Sequence, residues 1–307
     1  MKKLIVSILV LSLFTFTSCE DVIDLQTDGG EPQLVVDGWL TNLAGSQNIK
    51  LRLSASYFDN AAAKPALGAK VTVTANKTDV YEFKDLKNDG NYVWTPKDTK
   101  PLASIGNSYK LTIEYGGETY TSETLMKRVP PIDSIAYEYK ERTLVADDKP
   151  KKGYLAEFYA NDLTGSGDCY WIRHSRNGKI FNKADEITIA YDGAFSPGSS
   201  SDGFMFILPI RQSITSGNTL DLYAEKDTLK VDLYSMSLEA YYFLFQVRQE
   251  STNQGLFATA PSNIPTNIKN VKETGKKALG FFGVSAVSSL QTIIDPKKAR
   301  PTREGFR

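Results

Sequence analysis

Cys19 is the residue whose setting most clearly assigns it a reaction. It follows the basic start Met1-Lys2-Lys3, an apolar run from Leu4 to Phe16, and Thr17-Ser18. A basic region, an apolar stretch and small residues make an export signal too short for a confident membrane span. A cysteine at the cut turns the signal into a lipobox, in which the thiol accepts acyl chains; Phe16 stands where leucine is usual. The other reading is an ordinary cleaved signal with a cysteine beside the cut. Two or more acyl chains, at about 0.8 kcal/mol per buried methylene, give stable attachment to a membrane.

Little else in the chain is equipped for chemistry. There is one histidine, His174, and one further cysteine, Cys169. These supply too few nitrogen and sulfur donors for a usual zinc site, and Cys169 has no partner for an intramolecular disulfide. It reads as a buried small hydrophobe. His174 stands in an alternating strand beside Arg173 and near Arg176, which suits a structural or surface role. No nucleophile elbow, phosphate loop or zinc helix occurs. Asp147-Asp148 reads as a solvated turn, and the spacing of a calcium loop is absent. The 36 acids leave a carboxylate pair possible in space, as glycoside hydrolysis needs, but nothing in the sequence selects one. The expectation is no catalytic residue, no metal and no cofactor.

Charge narrows the partners. Cleavage after residue 18 takes Lys2 and Lys3 from the 36 basic residues and nothing from the 36 acids, leaving a net −2. A nearly neutral chain gives no whole-molecule case for nucleic acid. Glu20 and Asp21 follow the cysteine at once. They resemble the surface-export signal of Bacteroidota-type lipoproteins, or they open a solvated acidic linker. Residues 19–30 read as a tether.

The elements that would position any site are strands. Ile49, Leu51 and Leu53 alternate with polar residues, as do Val71 and Val73. Tyr109, Leu111 and Ile113 lead through Gly116-Gly117 to Glu118-Thr119-Tyr120, a β-hairpin with a type I′ turn. Asn88-Asp89-Gly90 and Asn177-Gly178 mark further turns. The pattern predicts a mainly β chain. Residues 31–129 form an immunoglobulin-like or transthyretin-like sandwich, and residues 131–295 a second β-rich domain. Pro130-Pro131 marks the boundary, or a sharp corner between strands of one domain. Leu222 and Leu229 to Leu233, across Glu225-Lys226-Asp227, predict a second hairpin that includes Leu220. Ser237 caps one helix near residues 237–250, with Leu238, Tyr241, Tyr242 and Phe245 on one face. Residues 296–307, with Lys297, Lys298, Arg300, Arg303 and Arg307, read as a basic tail that frays or meets anionic lipid or a partner.

Two features suit binding. The glycine-rich loop Gly193–Gly203 carries Phe195, Ser196 and Pro197, a possible partner contact or a plain connector. The aromatics Tyr137, Tyr139, Tyr159, Trp171, Tyr191 and Tyr223 suit either core packing or stacking on a ligand.

Several phrases occur in order: Val35-Val36-Asp37-Gly38-Trp39-Leu40-Thr41, Pro65-Ala66-Leu67-Gly68-Ala69-Lys70-Val71, Gly106-Asn107-Ser108-Tyr109, Pro130-Pro131-Ile132-Asp133-Ser134, Asn267-Ile268 and Ala278-Leu279-Gly280-Phe281-Phe282-Gly283-Val284. With the lipobox ahead of them, they resemble the exported lipoprotein family known as domain of unknown function 4249. The resemblance spans nearly all of the mature chain and brings no catalytic residues. It implies a β-rich lipoprotein, often encoded beside TonB-dependent outer-membrane transporters. The expected function is an accessory or binding component of such an uptake system, lipid-anchored to the outer membrane at Cys19 and facing the exterior. The alternatives are a surface adhesin or structural lipoprotein and, third, a carboxylate-based surface hydrolase. The class of small ligand is not legible.

Overall fold

Alternation of apolar and polar residues becomes alternation of burial. In the computed structural model, which describes residues 30–55, 61–142, 149–216, 221–253, 258–260 and 262–301, the strand Ser108–Tyr115 buries Tyr109, Leu111 and Ile113 completely. Lys110 and Glu114 between them face out. Its hairpin partner Glu118–Leu125 follows Gly116-Gly117, at φ 59° and 79°. That pair of left-handed residues is what a type I′ turn requires.

The chain is mainly β. In order, the strands are β1 (Leu34–Thr41), β2 (Gln47–Leu53), β3 (Lys70–Ala75), β4 (Asp79–Phe83), β5 (Asn91–Trp94), β6 (Ser108–Tyr115), β7 (Glu118–Leu125), β8 (Ser134–Glu141) and β9 (Lys152–Tyr159). They continue as β10 (Cys169–Arg176), β11 (Lys179–Ile180), β12 (Thr188–Tyr191), β13 (Thr228–Met236), β14 (Lys269–Asn270), β15 (Ala278–Ser285) and β16 (Val287–Ile293). The α-helical pieces are α1 (Leu208–Arg211), α2 (Ser213–Ser216) and α3 (Leu238–Thr252).

Two sheets face each other as a sandwich. One has the order β15-β1-β2-β5, the other β14-β7-β6-β3-β4. Leu40, Ile49 and Leu51 from the first meet Val71, Tyr109 and Leu111 from the second in one core. A third sheet is centred on β10 and β13, with β16, β11 and β12 beside them. It shares a second core with the β8–β9 pair and with α1 and α2, through Phe158, Tyr170, Phe206, Ile210 and Val231.

The expected division at Pro130-Pro131 is crossed by the chain. β15 returns to pair in parallel with β1 along its whole length, and β14 adds to β7. Phe282 and Val284 of β15 lie in the first core. The described residues within 32–55 and 61–301 form one compact unit. Pro130 is buried and Val129 packs against both cores, so the prolines form a corner rather than a linker.

α3 begins where expected. The Ser237 hydroxyl accepts from the Ala240 amide at 3.1 Å, and the helix runs to Thr252. Its buried face differs from the expected one. Of the four residues that spacing places on one face, only Tyr241 is buried; Leu238, Tyr242 and Phe245 are exposed. The inward stripe is Ala240, Tyr241 and Leu244, flanked by Phe243 and Val247, against Cys169, Ile189 and Phe281. With apolar residues around most of the helix, spacing alone admits either face.

Two other expectations change. Residues 222–233 do not form a hairpin. Tyr223 exchanges both backbone hydrogen bonds with Tyr154 of β9, while β13 is flanked by β10 and β16. Lys226, at φ 69°, turns the chain from one partner to another. Leu220 lies outside the described residues. Nor is the C-terminal segment a free tail as far as it is described. The Arg300 amide donates to the Tyr137 carbonyl at 2.9 Å, and its guanidinium pairs with buried Glu157. Arg303 and Arg307 lie outside the described residues, as do Cys19, Glu20, Asp21, Asp147 and Asp148.

Candidate functional site

The Gly193–Gly203 loop leaves β12 through Asp192 and Gly193, at φ 45° and 72°. Tyr191 and Ala194 exchange backbone hydrogen bonds of 2.7 and 2.9 Å, closing a tight turn. Phe195, the next residue, is 48% exposed. Its carbonyl accepts from the Tyr241 hydroxyl of α3. The backbone of Phe195 is therefore held while its ring faces solvent. The Tyr241 ring in turn contacts the exposed Tyr242 and Phe245 at centroid distances of 5.4 and 6.4 Å. Ser196 accepts from the Ser199 hydroxyl at 3.2 Å, and Pro197 is exposed. Beyond the loop, Phe204 and Met205 are also exposed. Exposed large apolar groups are candidates for an interaction surface where they adjoin.

Beneath this surface three acids converge. Asp162, Asp192 and Asp202 bring carboxylate oxygens within 4.8 Å of one another. Backbone amides hold them. Gly167 and Asp168 both donate to Asp192 Oδ1 at 2.8 Å, Gly165 to Asp202 Oδ1 at 2.9 Å, and Gly203 to Asp162 Oδ2 at 3.3 Å. The buried Tyr170 hydroxyl donates to Asp162 Oδ1. Burial raises the Asp162 carboxyl above its usual value, against the pull of these hydrogen bonds. The cluster fastens the segment 162–168 to the 192–203 loop, and its all-oxygen donor set is of the kind that hard cations take. Beside it, Arg128 pairs with Asp168 at 2.6 Å and also reaches the Thr164 carbonyl at 2.8 Å. These acids carry no local motif; their sequence separation hides them.

A separate cleft of about 650 Å³ opens against β10 and β13. Trp39, Trp171, Arg173, Tyr234 and Asn48 are among its lining residues. Trp39 and Trp171 meet edge to face at 5.3 Å. The strand alternation around His174 already places Trp171 and Arg173 together on one face of β10.

Among the described residues, the histidine and the cysteine are both quiet. His174 is half-buried and stacked on Phe181 at 4.5 Å. Desolvation pushes its pKa down to about 4, so it is neutral at physiological pH. Burial first, then the charges of Asp192 and Asp168, push the Cys169 thiol up to about 12. A buried protonated thiol is neither nucleophile nor ligand. Of the aromatics noted in the sequence, Tyr137 and Tyr223 are buried in the second core, whereas Tyr139 is 39% exposed.

Sandwich-packed sheets, with one long helix among the described residues and solvent-facing loops, define a mainly β protein. The chain belongs to the family described as domain of unknown function, DUF4249, whose model matches residues 20–291. No curated protein matches it.

Proposed function

We propose that the protein is an outer-membrane-anchored lipoprotein that works at the cell surface as an accessory or binding component of a TonB-dependent nutrient uptake system. The lipobox at Cys19 supplies the anchor, and the family resemblance implies the partner. The structural observation that supports a contact is Phe195. Its ring is solvent-facing and its backbone is pinned by Tyr241, whose own ring contacts the exposed Tyr242 and Phe245 of α3. A rigidly mounted aromatic is the kind of group that anchors an interface. An acyl tether concentrates the chain near membrane partners, so modest affinity suffices.

Two measurements test this reading. Mass spectrometry of the native N-terminal peptide should find an acylated Cys19; an unmodified peptide that begins beyond Cys19 removes the anchor. Mild crosslinking followed by affinity purification from native membranes should recover a transporter barrel. Recovery of the lipoprotein alone, under conditions where known lipoprotein–transporter pairs survive, favours the adhesin or structural reading instead.

A further inference from the structure

The cleft against β10 and β13 is arranged as a site for an anion. Trp171 and Tyr234 are cross-strand partners, so they share a face of the sheet, and Arg173 stands two residues along the same face. The Arg173 guanidinium lies 4.7 Å from the Trp171 ring centroid and 5.4 Å from that of Tyr234. Stacking on two rings and a hydrogen bond with the Tyr234 side chain hold the guanidinium plane, and its remaining N–H groups form a preorganised donor set. Among the described residues Arg173 forms no salt bridge. Asp37, the acid that lines the cleft, is taken by Lys50 at 3.9 Å. Asp232, the cross-strand partner of Arg173, is taken by Lys230 at 2.8 Å and by the Ser289 hydroxyl, so among the described residues no carboxylate forms a salt bridge with Arg173.

The opposite wall comes from β1 and β2. It contributes Trp39, Thr41, Gln47 and Asn48, and Asn182 stands at the edge. Two atoms in the lining are shielded from solvent and lack a hydrogen-bond partner: Arg173 Nε, a donor, and Asn48 Oδ1, an acceptor. Orphaned buried polar atoms are uncommon and costly to the fold. A donor and an acceptor left over on facing walls suit a guest that both accepts and donates, once the walls adjust around it. The volume falls within the range of small-molecule sites.

We propose that this cleft binds a carboxylate-bearing saccharide. The carboxylate pairs with the edge of Arg173, as planar bidentate recognition favours. Ring hydroxyls bond to the amides of Asn48 and Asn182, and the apolar face of the sugar ring lies against Trp39. A cation is repelled by Arg173. A neutral sugar leaves the guanidinium uncompensated. The inference concerns what the chain binds, and stands whether or not a transporter is its partner.

The test is calorimetric titration of the full-length chain in detergent with a trimer of galacturonic acid, with a galactose trimer of the same linkage and with acetate. Tryptophan fluorescence provides a second readout, since Trp39 and Trp171 line the site. The expected result is binding of the acidic trimer at least tenfold tighter than either control, with altered fluorescence. Arg173→Gln should weaken it at least tenfold, and Arg173→Lys should fail to restore it, because lysine offers no planar fork. Asn48→Ala, which leaves the aromatic stack alone, should weaken it several-fold and separates a binding loss from misfolding of the Arg173 variants. Equal affinity for the acidic and neutral trimers, no binding of the acidic trimer, or unchanged binding by Arg173→Gln would each overturn the proposal. None of these outcomes bears on co-purification with a barrel.

Discussion

The Tyr241 hydroxyl donates to the Phe195 carbonyl, and this one bond joins the helix to the loop across 46 residues of sequence. The Tyr241 ring is buried among Cys169, Ile189 and Leu244, while the Phe195 ring is exposed. The buried partner thus sets the position of the exposed one. Tyr241→Phe keeps the packed ring and deletes only the donor, at a cost of about 1 kcal/mol. Amide exchange over residues 195–203 should speed up by several-fold while that of α3 stays slow. Equal exchange rates in both proteins would show that the loop is held by other contacts. Phe195→Ser, by contrast, should leave stability nearly unchanged and reduce crosslinking to a transporter.

The second prediction concerns Glu157. It is almost completely buried and receives Arg300, Arg211 and the Tyr159 hydroxyl. Burial alone would raise its carboxyl. The hydrogen bonds from Tyr159 and Arg300 and the charges of Arg300 and Arg211 outweigh that, so it lies below its usual value. Arg300 keeps 31% of its side-chain surface in solvent, which places its loss toward the lower end of the range for breaking a buried pair. Arg300→Ala should cost about 3 kcal/mol, read as a lower midpoint in urea. A depressed acid stabilises above its unfolded pKa and loses that contribution as pH falls through the folded one. Glu157→Gln should therefore be less stable than the parent at neutral pH, and the gap should narrow below about pH 4.3.

Local structure was readable because local residues enforce it. Gly116-Gly117 accepts positive φ whatever surrounds it, and Ser237 caps α3 through an amide three residues away. Pairings made over long separations left no such mark. Nothing around Leu34–Thr41 announces that Ala278–Ser285 will lie parallel to it. The phrase Pro130-Pro131 breaks two ladders equally well as a linker or as a buried corner, and only the arrival of β15 decides between them. The same separation concealed Asp162, Asp192 and Asp202. Phe195 was legible because a large aromatic in a glycine-rich loop is conspicuous. Its tie to Tyr241 was not, since the helix offers several aromatic residues and spacing did not say which faces inward. Trp171 and Arg173 were placed on one strand face by alternation, yet the opposite wall of their cleft comes from β1 and β2.

The third prediction tests that long-range closure. Gly280 of β15 has φ +88°, and a Cβ there would lie 1.9 Å from the Val36 carbonyl oxygen of β1. Both the backbone conformation and the close approach demand glycine. Gly280→Ala should force the two strands apart and expose the core around Leu34, Val36 and Phe282. A loss of several kcal/mol is expected, enough to leave a chain of ordinary stability largely unfolded. Circular dichroism and a thermal melt read the result. For the same reason, a fragment of residues 31–129 should not fold alone, because it lacks the strand that covers the edge of β1. A cooperative melt of that fragment would show that β15 is dispensable.

The last prediction follows from His174. The imidazole stacks on Phe181, and desolvation lowers its folded pKa to about 4, from an ordinary value near 6.5. In the folded chain it stays neutral down to that pH, whereas in the unfolded chain it takes up a proton on passing below about 6.5. The unfolded state therefore binds more protons between these values, and acidification favours unfolding. The contribution of His174 is fully present above pH 6.5, falls as pH drops toward 4, and levels off below it. At about 1.4 kcal/mol per pKa unit the ceiling is about 3 kcal/mol. Half-burial brings the expected value nearer 2 kcal/mol, because solvent screens part of the imidazolium charge. Glu157 in the unfolded chain begins to take up a proton at the lower end of this window, so the wild-type curve alone does not isolate the histidine. The informative quantity is the difference in urea midpoint between the wild type and His174→Gln, measured from pH 7.5 to 4. It should shift progressively in favour of the variant on acidification. A constant difference across that range would mean that His174 titrates alike in the folded and unfolded chains.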